Sequence, residues 1–283
     1  MNILSIQSSV AYGHVGNSAA VFPLQRLGYS VWPVITVHFS NHLGYGAARG
    51  PVLPAEDVAD VIRGIEEREV MADCDAVLSG YMGDASIGTV ILDAVDTVRR
   101  HRPDAVYCCD PVMGDVGTGF YVRPGIPEFM RDRAVPAATL VTPNQFELEY
   151  LTGLVPTDLA SVLAAVDKVR AMGPAVVLVT SLRRHDGPAD RIEMLAVSGE
   201  GAWLLSNPLL PVDVNGAGDA TAALFLAHWL SERSVADALS KTAETIYSVL
   251  ERTLSAGTRE IQLIAAQDAI ADPPRRFDVE KVR

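Results

Sequence analysis

One turn in the last third of the sequence has the composition of an anion-binding site. Gly216, Ala217, Gly218 and Asp219 precede a strongly apolar run, Ala222–Leu226. Small residues let the backbone approach a ligand closely, and the free N–H groups at a helix start attract negative charge. Asp219 is placed to touch a hydroxyl beside such an anion, which is the combination that phosphoryl transfer requires. Because Gly and Asp are also common helix caps, an ordinary helix N-terminus is the alternative.

A second acidic segment begins where another apolar run ends. Asp110 follows Cys109 directly, and a glycine-rich stretch leads through Asp115 to Tyr121. An aspartate at the end of a strand is suited to a hydrated Mg²⁺ that neutralises phosphate charge, and a glycine-rich loop can close over a nucleotide. The alternative is a turn acid beside Pro111.

A third segment, Thr142–Glu149, contains Asn144 and, three residues later, Glu147. This spacing forms a capping box, in which both side chains satisfy backbone groups at a helix start. The structural and functional interpretations are about equally good for this pair. Two acidic positions, Asp110 and Glu147, near one anion-binding turn favour a functional role as metal ligands. Thr180 and Ser181 end a further strand and are candidates for phosphate or ribose contacts.

The N-terminal segment and one aromatic residue are candidates for the other substrate. Ser8 and its neighbours place hydroxyl groups between the first strand and a helix that we expect Asn17 to cap. Tyr81 ends another strand, where a flat ring is able to stack on it, although core packing is the simpler interpretation. His14, His38 and His42 lie in predicted loops.

Composition narrows the class of protein. The chain has 283 residues and a net charge of −12, which disfavours binding to nucleic acid or to anionic lipid. Without a signal-peptide pattern or an apolar run near 20 residues, we expect a soluble, cytoplasmic protein with reduced cysteines. Only Lys168, Lys241 and Lys281 are lysines, and none follows a glycine-rich loop. Phosphate chemistry must therefore use backbone amides, arginine or a metal ion.

The elements that position these residues alternate between strands and helices, which predicts a three-layer α/β/α fold with a mainly parallel central sheet. We expect one domain, residues 1–283, with ligands beyond the carboxyl ends of the strands. Three short pieces look antiparallel, and helices follow to a tail that frays from Asp272. The predicted strands are Asn2–Gln7, Ser30–Val37, Ala76–Ser79, Ala105–Cys109, Thr139–Thr142, Val176–Thr180, Ile192–Val197, Ala202–Leu205 and Leu209–Val212, and the predicted C-terminal helices are Gly218–Leu230, Val235–Leu254 and Glu260–Ala271.

Taken together, these motifs resemble the pyridoxal kinases of the ribokinase-like superfamily along nearly the whole chain. The matching segments occur in the family's order and spacing: Ile6-Gln7-Ser8, Gly16-Asn17, Phe39-Ser40-Asn41-His42, Leu78-Ser79-Gly80-Tyr81, Cys109–Gly114, Thr142-Pro143-Asn144 and Gly216–Asp219. The resemblance implies ATP-dependent phosphorylation of the 5′-hydroxymethyl group of pyridoxal. It also implies ATP as co-substrate, Mg²⁺, a monovalent cation such as K⁺, and a homodimer.

The resemblance also assigns roles to residues. Asp219 takes the family's catalytic-base position beside the glycine turn Gly216–Gly218, and Ser8 and Tyr81 contact the pyridine ring. The substrate side further includes Phe39, His42 and Leu43. The residues that match the ATP and metal side are Asp110, Asp115, Tyr121, Thr142, Asn144, Glu147, Thr180 and Ser181.

Three positions depart from the family pattern. Leu43 stands where the family usually has a threonine that contacts substrate, Thr180 stands where some bacterial members have lysine, and Asn215 precedes the glycines in place of Val or Pro. The first departure bears on substrate identity. Rival hypotheses are a kinase for another ring alcohol such as a hydroxymethylpyrimidine, and a non-catalytic nucleotide- or B6-binding protein. A Rossmann dehydrogenase is a weaker rival, because no Gly-x-Gly-x-x-Gly follows the first strand.

Overall fold

A nine-stranded sheet runs through the computed structural model, which describes the whole chain, Met1–Arg283. Six parallel strands form one side of this sheet up to its edge, and three antiparallel strands form the other side. The strands are β1 (Asn2–Val10), β2 (Ser30–Phe39), β3 (Cys74–Ser79), β4 (Val106–Cys109), β5 (Gly114–Asp115), β6 (Gly119–Phe120), β7 (Leu140–Val141), β8 (Val176–Leu182), β9 (Arg191–Ser198), β10 (Gly201–Pro208) and β11 (Val279–Lys281). The sheet order is β11-β10-β9-β8-β7-β4-β3-β1-β2, and a small hairpin, β5-β6, lies outside it.

Helices cover both faces of this sheet. The helices are α1 (Asn17–Arg26), α2 (Ala55–Glu66), α3 (Ala85–His101), α4 (Ile126–Phe129), α5 (Val135–Ala137), α6 (Gln145–Thr152), α7 (Leu159–Met172), α8 (Ala217–Glu232), α9 (Val235–Ala256) and α10 (Gln267–Ala271). One face of the sheet packs against α2, α3, α6 and α7, and the other against α1, α8 and α9. The predicted three-layer α/β/α fold is confirmed. That residues 1–283 form a single domain stays a prediction, which the continuous sheet supports.

The neighbouring cysteines of β4 show the alternation of a strand buried on both faces. Cys108 packs into the core on one side of the sheet and Cys109 into the core on the other. Both thiols, like that of Cys74, are buried and unpaired. No helix combines the length and the apolar composition that a bilayer crossing requires.

The C-terminal part corrects three predictions. Leu209–Val212 is not a strand: it is flanked and interrupted by prolines that lack an N–H, and its apolar side chains line a cavity. The helix predicted from Glu260 begins only at Gln267, because Glu260 makes an isolated bridge to Asn215.

The predicted fraying of the tail from Asp272 is also wrong. The backbone N–H groups of Arg276 and Phe277 both donate to the Glu244 carboxylate, which is fully buried, and β11 then pairs with β10. Proline-rich composition alone does not show these long-range contacts.

The prediction that Asn17 caps α1 is wrong, because Asn17 is the first residue of that helix and Gly16 stands at the cap position. The Asn17 side-chain amide donates to the carbonyl oxygens of Gln7 and Val34, each at 3.1 Å, and so links the helix start to β1 and β2. Gly16 precedes it with a φ of 53°, and a Cβ there would lie 2.3 Å from the Ser8 carbonyl oxygen. The glycine therefore lets the helix begin directly against Ser8.

Candidate active site

A single cavity of about 780 Å³ lies beyond the carboxyl ends of the parallel strands. Every site residue predicted from the sequence lines it: Ser8, Phe39, His42, Leu43, Tyr81, Asp110, Asp115, Tyr121, Thr142, Asn144, Glu147, Thr180, Ser181, Gly216, Ala217, Gly218 and Asp219. The parallel sheet brings these segments together because each follows the carboxyl end of a strand or, for the glycine turn, begins α8. Sharing this cavity is an observation, whereas the individual role of each residue remains a prediction.

The glycine turn forms the start of α8. Gly216 precedes the helix with a φ of 85°, and a Cβ there would lie 1.7 Å from the carbonyl oxygen of His14. A Cβ at Gly218, by contrast, would meet no atom within 4 Å. The N–H groups of the first helical turn have no partner within the helix, so the turn presents donors and positive potential to the cavity.

We expect Gly216→Ala to lower the free energy of unfolding by about 2 kcal/mol or more, because a side chain meets both a positive φ and a backbone oxygen there. Gly218→Ala is the matched variant. Its methyl group would meet no protein atom within 4 Å, so thermal unfolding should be unchanged. The methyl group would instead occupy space in the cavity that a ligand needs, so turnover should fall. Unfolding scans and steady-state assays of both variants distinguish the two effects. Equal stability of the two proteins would contradict the assignment of Gly216.

Three buried or enclosed carboxyl groups lie close enough to affect one another. Burial, and after it the charge of Asp219, raise the pKa of Asp110 to about 8. A hydrogen bond of 2.9 Å that Thr142 Oγ1 donates to Asp110 lowers this pKa, but by less than burial raises it. Burial and then Asp110 raise the pKa of Glu147 as well. Protein also encloses Asp219 and raises its pKa to about 6, although part of this residue faces the cavity. The site therefore concentrates negative charge that a cation would relieve.

The predicted capping box is present, and it also shapes the cavity. Asn144 accepts from the Glu147 N–H at 2.9 Å, and the Glu147 carboxylate accepts from the N–H groups of Asn144 and Met113, each at 2.9 Å. Asn144 Nδ2 donates to the Gly114 carbonyl oxygen at 2.8 Å. The structural interpretation of this pair is therefore confirmed: one network caps α6 and attaches the β5-β6 hairpin beside Asp110. A role for Asn144 and Glu147 beside metal and phosphates stays a prediction.

The β5-β6 hairpin covers this acidic end of the cavity. Asp115, Thr118 and Tyr121 line the cavity, while Phe120 packs edge-on against Phe146 with 5.0 Å between ring centroids. The hairpin thus has a fixed base on α6. Closure of this loop over a nucleotide stays a prediction.

The opposite end of the cavity is less charged. Ser8 is buried on β1, Tyr81 is partly buried after β3, and Phe39 ends β2. Leu43 lies in a short 3₁₀ turn, Leu43–Tyr45, and its side chain is 49% exposed. A polar hydroxyl, an aromatic ring and an apolar side chain together suit a small, flat ligand with few polar groups.

Several lining residues carried no recognisable signal in the sequence. They come from the irregular segment after β10, from α9 itself and from the segment that follows α9: Leu209, Leu210, Val212, Tyr247, Leu250 and Arg259. Arg259 is the one lysine or arginine among the residues that line the cavity, and its guanidinium pairs with Asp213 at 3.5 Å. The absence of a phosphate-binding lysine, inferred from the sequence, thus extends to the folded cavity.

The sequence and the fold have close counterparts among known proteins. A model of the phosphomethylpyrimidine kinase family matches residues 34–263. The pyridoxal kinase PdxY of Rubrobacter xylanophilus is 67% identical over 283 residues, covering 100% of this chain and 98% of the relative. That of Leifsonia xyli is 56% identical, with 100% of each chain covered. The pyridoxal kinase of Leishmania donovani, solved with ADP and pyridoxine, superposes with a TM-score of 0.92 at 29% identity, covering 100% of this chain and 99% of the other.

Proposed function

The chain belongs to the phosphomethylpyrimidine kinase family and is similar to pyridoxal kinases over its whole length, and on this premise we propose how it phosphorylates pyridoxal. The reaction transfers the γ-phosphoryl group of ATP to the 5′-hydroxymethyl group and yields pyridoxal 5′-phosphate. The observation that carries the proposal is the shared cavity, in which an amide-lined glycine turn and Asp219 face a cluster of acids. The aromatic and hydroxyl groups of the other end form the remaining wall.

Asp219 acts as the proton acceptor for the substrate hydroxyl. With a pKa of about 6 it is mostly ionised at neutral pH, yet it is more basic than an ordinary aspartate. It positions the hydroxyl for in-line attack and accepts the proton as the phosphoryl group is transferred. The amides of Gly216–Gly218 stabilise the charge that develops on the transferring group.

The ring of pyridoxal occupies the less charged end of the cavity. Tyr81 and Phe39 pack against the ring faces, and Ser8 hydrogen-bonds a polar ring atom. His42 and Leu43 close the edge of this subsite. Thr142, Asn144, Thr180 and Ser181 contact the nucleotide, with Asp115 and Tyr121 above it on the hairpin.

The acidic end of the cavity suits Mg²⁺. No group of three or more carboxylate, histidine or cysteine side chains forms a cage, whereas Mg²⁺ usually keeps several waters and binds one or two carboxylates plus phosphates. The repulsion among Asp110, Glu147 and Asp219 fits such an ion, which Asp110 and Glu147 would hold. When bound, it would neutralise phosphate charge at a cavity where Arg259 is the one cationic side chain in the lining.

Three further properties extend the proposal. A monovalent cation such as K⁺ assists nucleotide binding, two chains form a homodimer, and the enzyme is cytoplasmic, where ATP is supplied and its three cysteines stay reduced. Light scattering tests the dimer, and comparing K⁺ with a large organic cation at constant ionic strength tests the cation. A monomeric, K⁺-independent enzyme would contradict both additions.

Leu43 gives a direct test of the substrate subsite. Restoring the family's hydroxyl with Leu43→Thr adds a neutral hydrogen bond of about 0.5–1.5 kcal/mol, so we expect kcat/KM for pyridoxal to rise several-fold, to about tenfold at most. The KM for ATP should be unchanged, because Leu43 lies at the other end of the cavity. Leu43→Val is the matched control, since it alters volume without adding a hydroxyl.

Loss of pyridoxal phosphorylation in Leu43→Thr would show that this position serves a more apolar ligand. In that case pyridoxal would lose its place as the preferred substrate, and another ring alcohol, such as a hydroxymethylpyrimidine, would be the second candidate. Steady-state assays with both alcohols decide between these outcomes.

A further inference from the structure

Glu260 joins segments that are distant in the sequence. It is 7% exposed, and its Oε1 accepts hydrogen bonds from Nε2 of His42 at 3.0 Å and from the hydroxyl of Tyr45 at 2.7 Å. Its other oxygen accepts from the backbone N–H of His14 at 3.1 Å. One carboxylate thus connects the turn that carries Leu43 to the loop that follows β1.

The same residue is also attached to the glycine turn. The backbone of Glu260 makes a bridge to Asn215, which directly precedes Gly216. Its neighbour Arg259 pairs with Asp213 at 3.5 Å and places its guanidinium 5.3 Å from the Tyr45 ring centroid. The pair Arg259-Glu260 therefore holds the Leu43 turn and the anion-binding turn in one arrangement.

The hydrogen bonds keep Glu260 ionised. Burial acts to raise the pKa of its carboxyl, but the bonds from Tyr45, His42 and the backbone of His14 outweigh this and lower the pKa. The same bond to Glu260 raises the pKa of the Tyr45 hydroxyl to about 12. A charged acceptor is therefore maintained beneath the substrate end of the cavity.

The orientation of His42 depends on this carboxylate. Its Nδ1 is buried without a hydrogen-bond partner, so its polar contact is the one that Nε2 makes with Glu260. On its face the imidazole stacks on Tyr45, with 4.6 Å between centroids and 30° between planes. The backbone at Gly13 also packs closely against this carboxylate. A Cβ at that position would lie 2.2 Å from Glu260 Oε2, so only glycine fits there.

We propose that Glu260 is a positioning residue for the alcohol substrate: it fixes His42 and the turn that carries Leu43 against the glycine turn, and so determines affinity for pyridoxal but not for ATP. The inference rests on the proposed function. Glu260 does not itself line the cavity, so it would act on the substrate only through the residues that it holds in place. The carboxylate also selects the Nε2–H form of His42, since Nε2 must donate to it.

Glu260→Gln tests the proposal with little change in shape. The amide has one acceptor where the carboxylate has two, so at least one of the three donors meets an N–H group. We expect the KM for pyridoxal to rise about tenfold or more, as for loss of a hydrogen bond to a buried charge, with the KM for ATP changed less than twofold. Glu244→Gln is the matched control, because Glu244 is a fully buried acid that binds the C-terminal tail. It should lower thermal stability and leave the KM for pyridoxal unchanged.

Two further measurements keep the test decisive. If Glu260→Gln does not fold, Tyr45→Phe removes one donor at a residue that is 40% exposed, and a several-fold rise in the KM for pyridoxal alone is expected. Nitrogen-15 spectra of the six histidines should show His42 as the Nε2–H form in the wild type and as a mixture in Glu260→Gln.

Equal rises in both KM values, or an unchanged pyridoxal KM with an unchanged His42 spectrum, would overturn the proposal. Failure of the wild type to phosphorylate pyridoxal would refute the proposed function instead, because the spectra do not depend on activity.

Discussion

Asp219→Asn should lower kcat for pyridoxal phosphorylation by at least about a hundredfold, the low end for loss of a positioned proton acceptor. The amide keeps the shape of the side chain and its place in the first turn of α8, so the KM for pyridoxal and for ATP should change little. Removing one charge from the acidic cluster should also lower the pKa of Asp110, which the Asp219 charge now raises. The defect should therefore appear in turnover rather than in binding.

Asp268→Asn is the control for this variant. Its carboxylate side chain is 99% exposed and lies away from the cavity, so activity should equal that of the wild type. Single-turnover measurements, which exclude product release, locate the defect in the chemical step. Turnover of Asp219→Asn near the wild-type value would remove Asp219 from the reaction.

Removal of divalent metal should abolish activity, a loss of at least about a hundredfold if the ion supplies several kcal/mol of charge stabilisation. The reason is the scarcity of cations in the cavity, where Arg259 is paired with Asp213. Asp110→Ala should raise the Mg²⁺ concentration for half-maximal rate by about tenfold or more. Titration of Mg²⁺ at fixed ATP measures both effects.

The pH dependence of this requirement follows from Asp110. Burial and the Asp219 charge raise the pKa of this carboxyl toward neutral pH, so a proton competes with Mg²⁺ for it. Less Mg²⁺ is therefore needed as pH rises from about 6 to about 8, and this dependence should weaken in Asp110→Ala, where only the raised pKa of Glu147 still contributes to it. Activity that persists in excess chelator would show that the charge is neutralised without a metal ion.

Local spacing was sufficient to predict much of the site. Gly216–Asp219 and the Asn144–Glu147 box are short patterns at helix starts. Both act on backbone groups only a few residues away, so the local sequence is enough to recognise them. The parallel sheet then brings these patterns to one edge without further assumptions. Phe39, Leu43 and Tyr121 were predicted from the family resemblance and not from spacing, and they line the same cavity.

Residues that act across long sequence separations could not be predicted in this way. Glu260 contacts His42 across 218 positions, and nothing about an acid after Arg259 indicates that partner. The apolar segment Leu209–Val212 has the composition of a strand, but it lines the cavity and does not join the sheet. Asn17 has the composition of a cap, and its position inside the helix follows from bonds to two strands. For Glu260 and Asn17 a tertiary contact decides the outcome, whereas in Leu209–Val212 the proline at 211 already disfavours a strand.

The most direct test measures ADP release and product identity with pyridoxal, pyridoxine, pyridoxamine and hydroxymethylpyrimidine, each with ATP and Mg²⁺. We expect one ADP for each pyridoxal converted to its 5′-phosphate, and a kcat/KM for pyridoxal at least about tenfold above that for hydroxymethylpyrimidine, the ratio that one well-made hydrogen bond supplies. ADP release with hydroxymethylpyrimidine alone, or with none of the four alcohols, would contradict the assignment of this chain as a pyridoxal kinase.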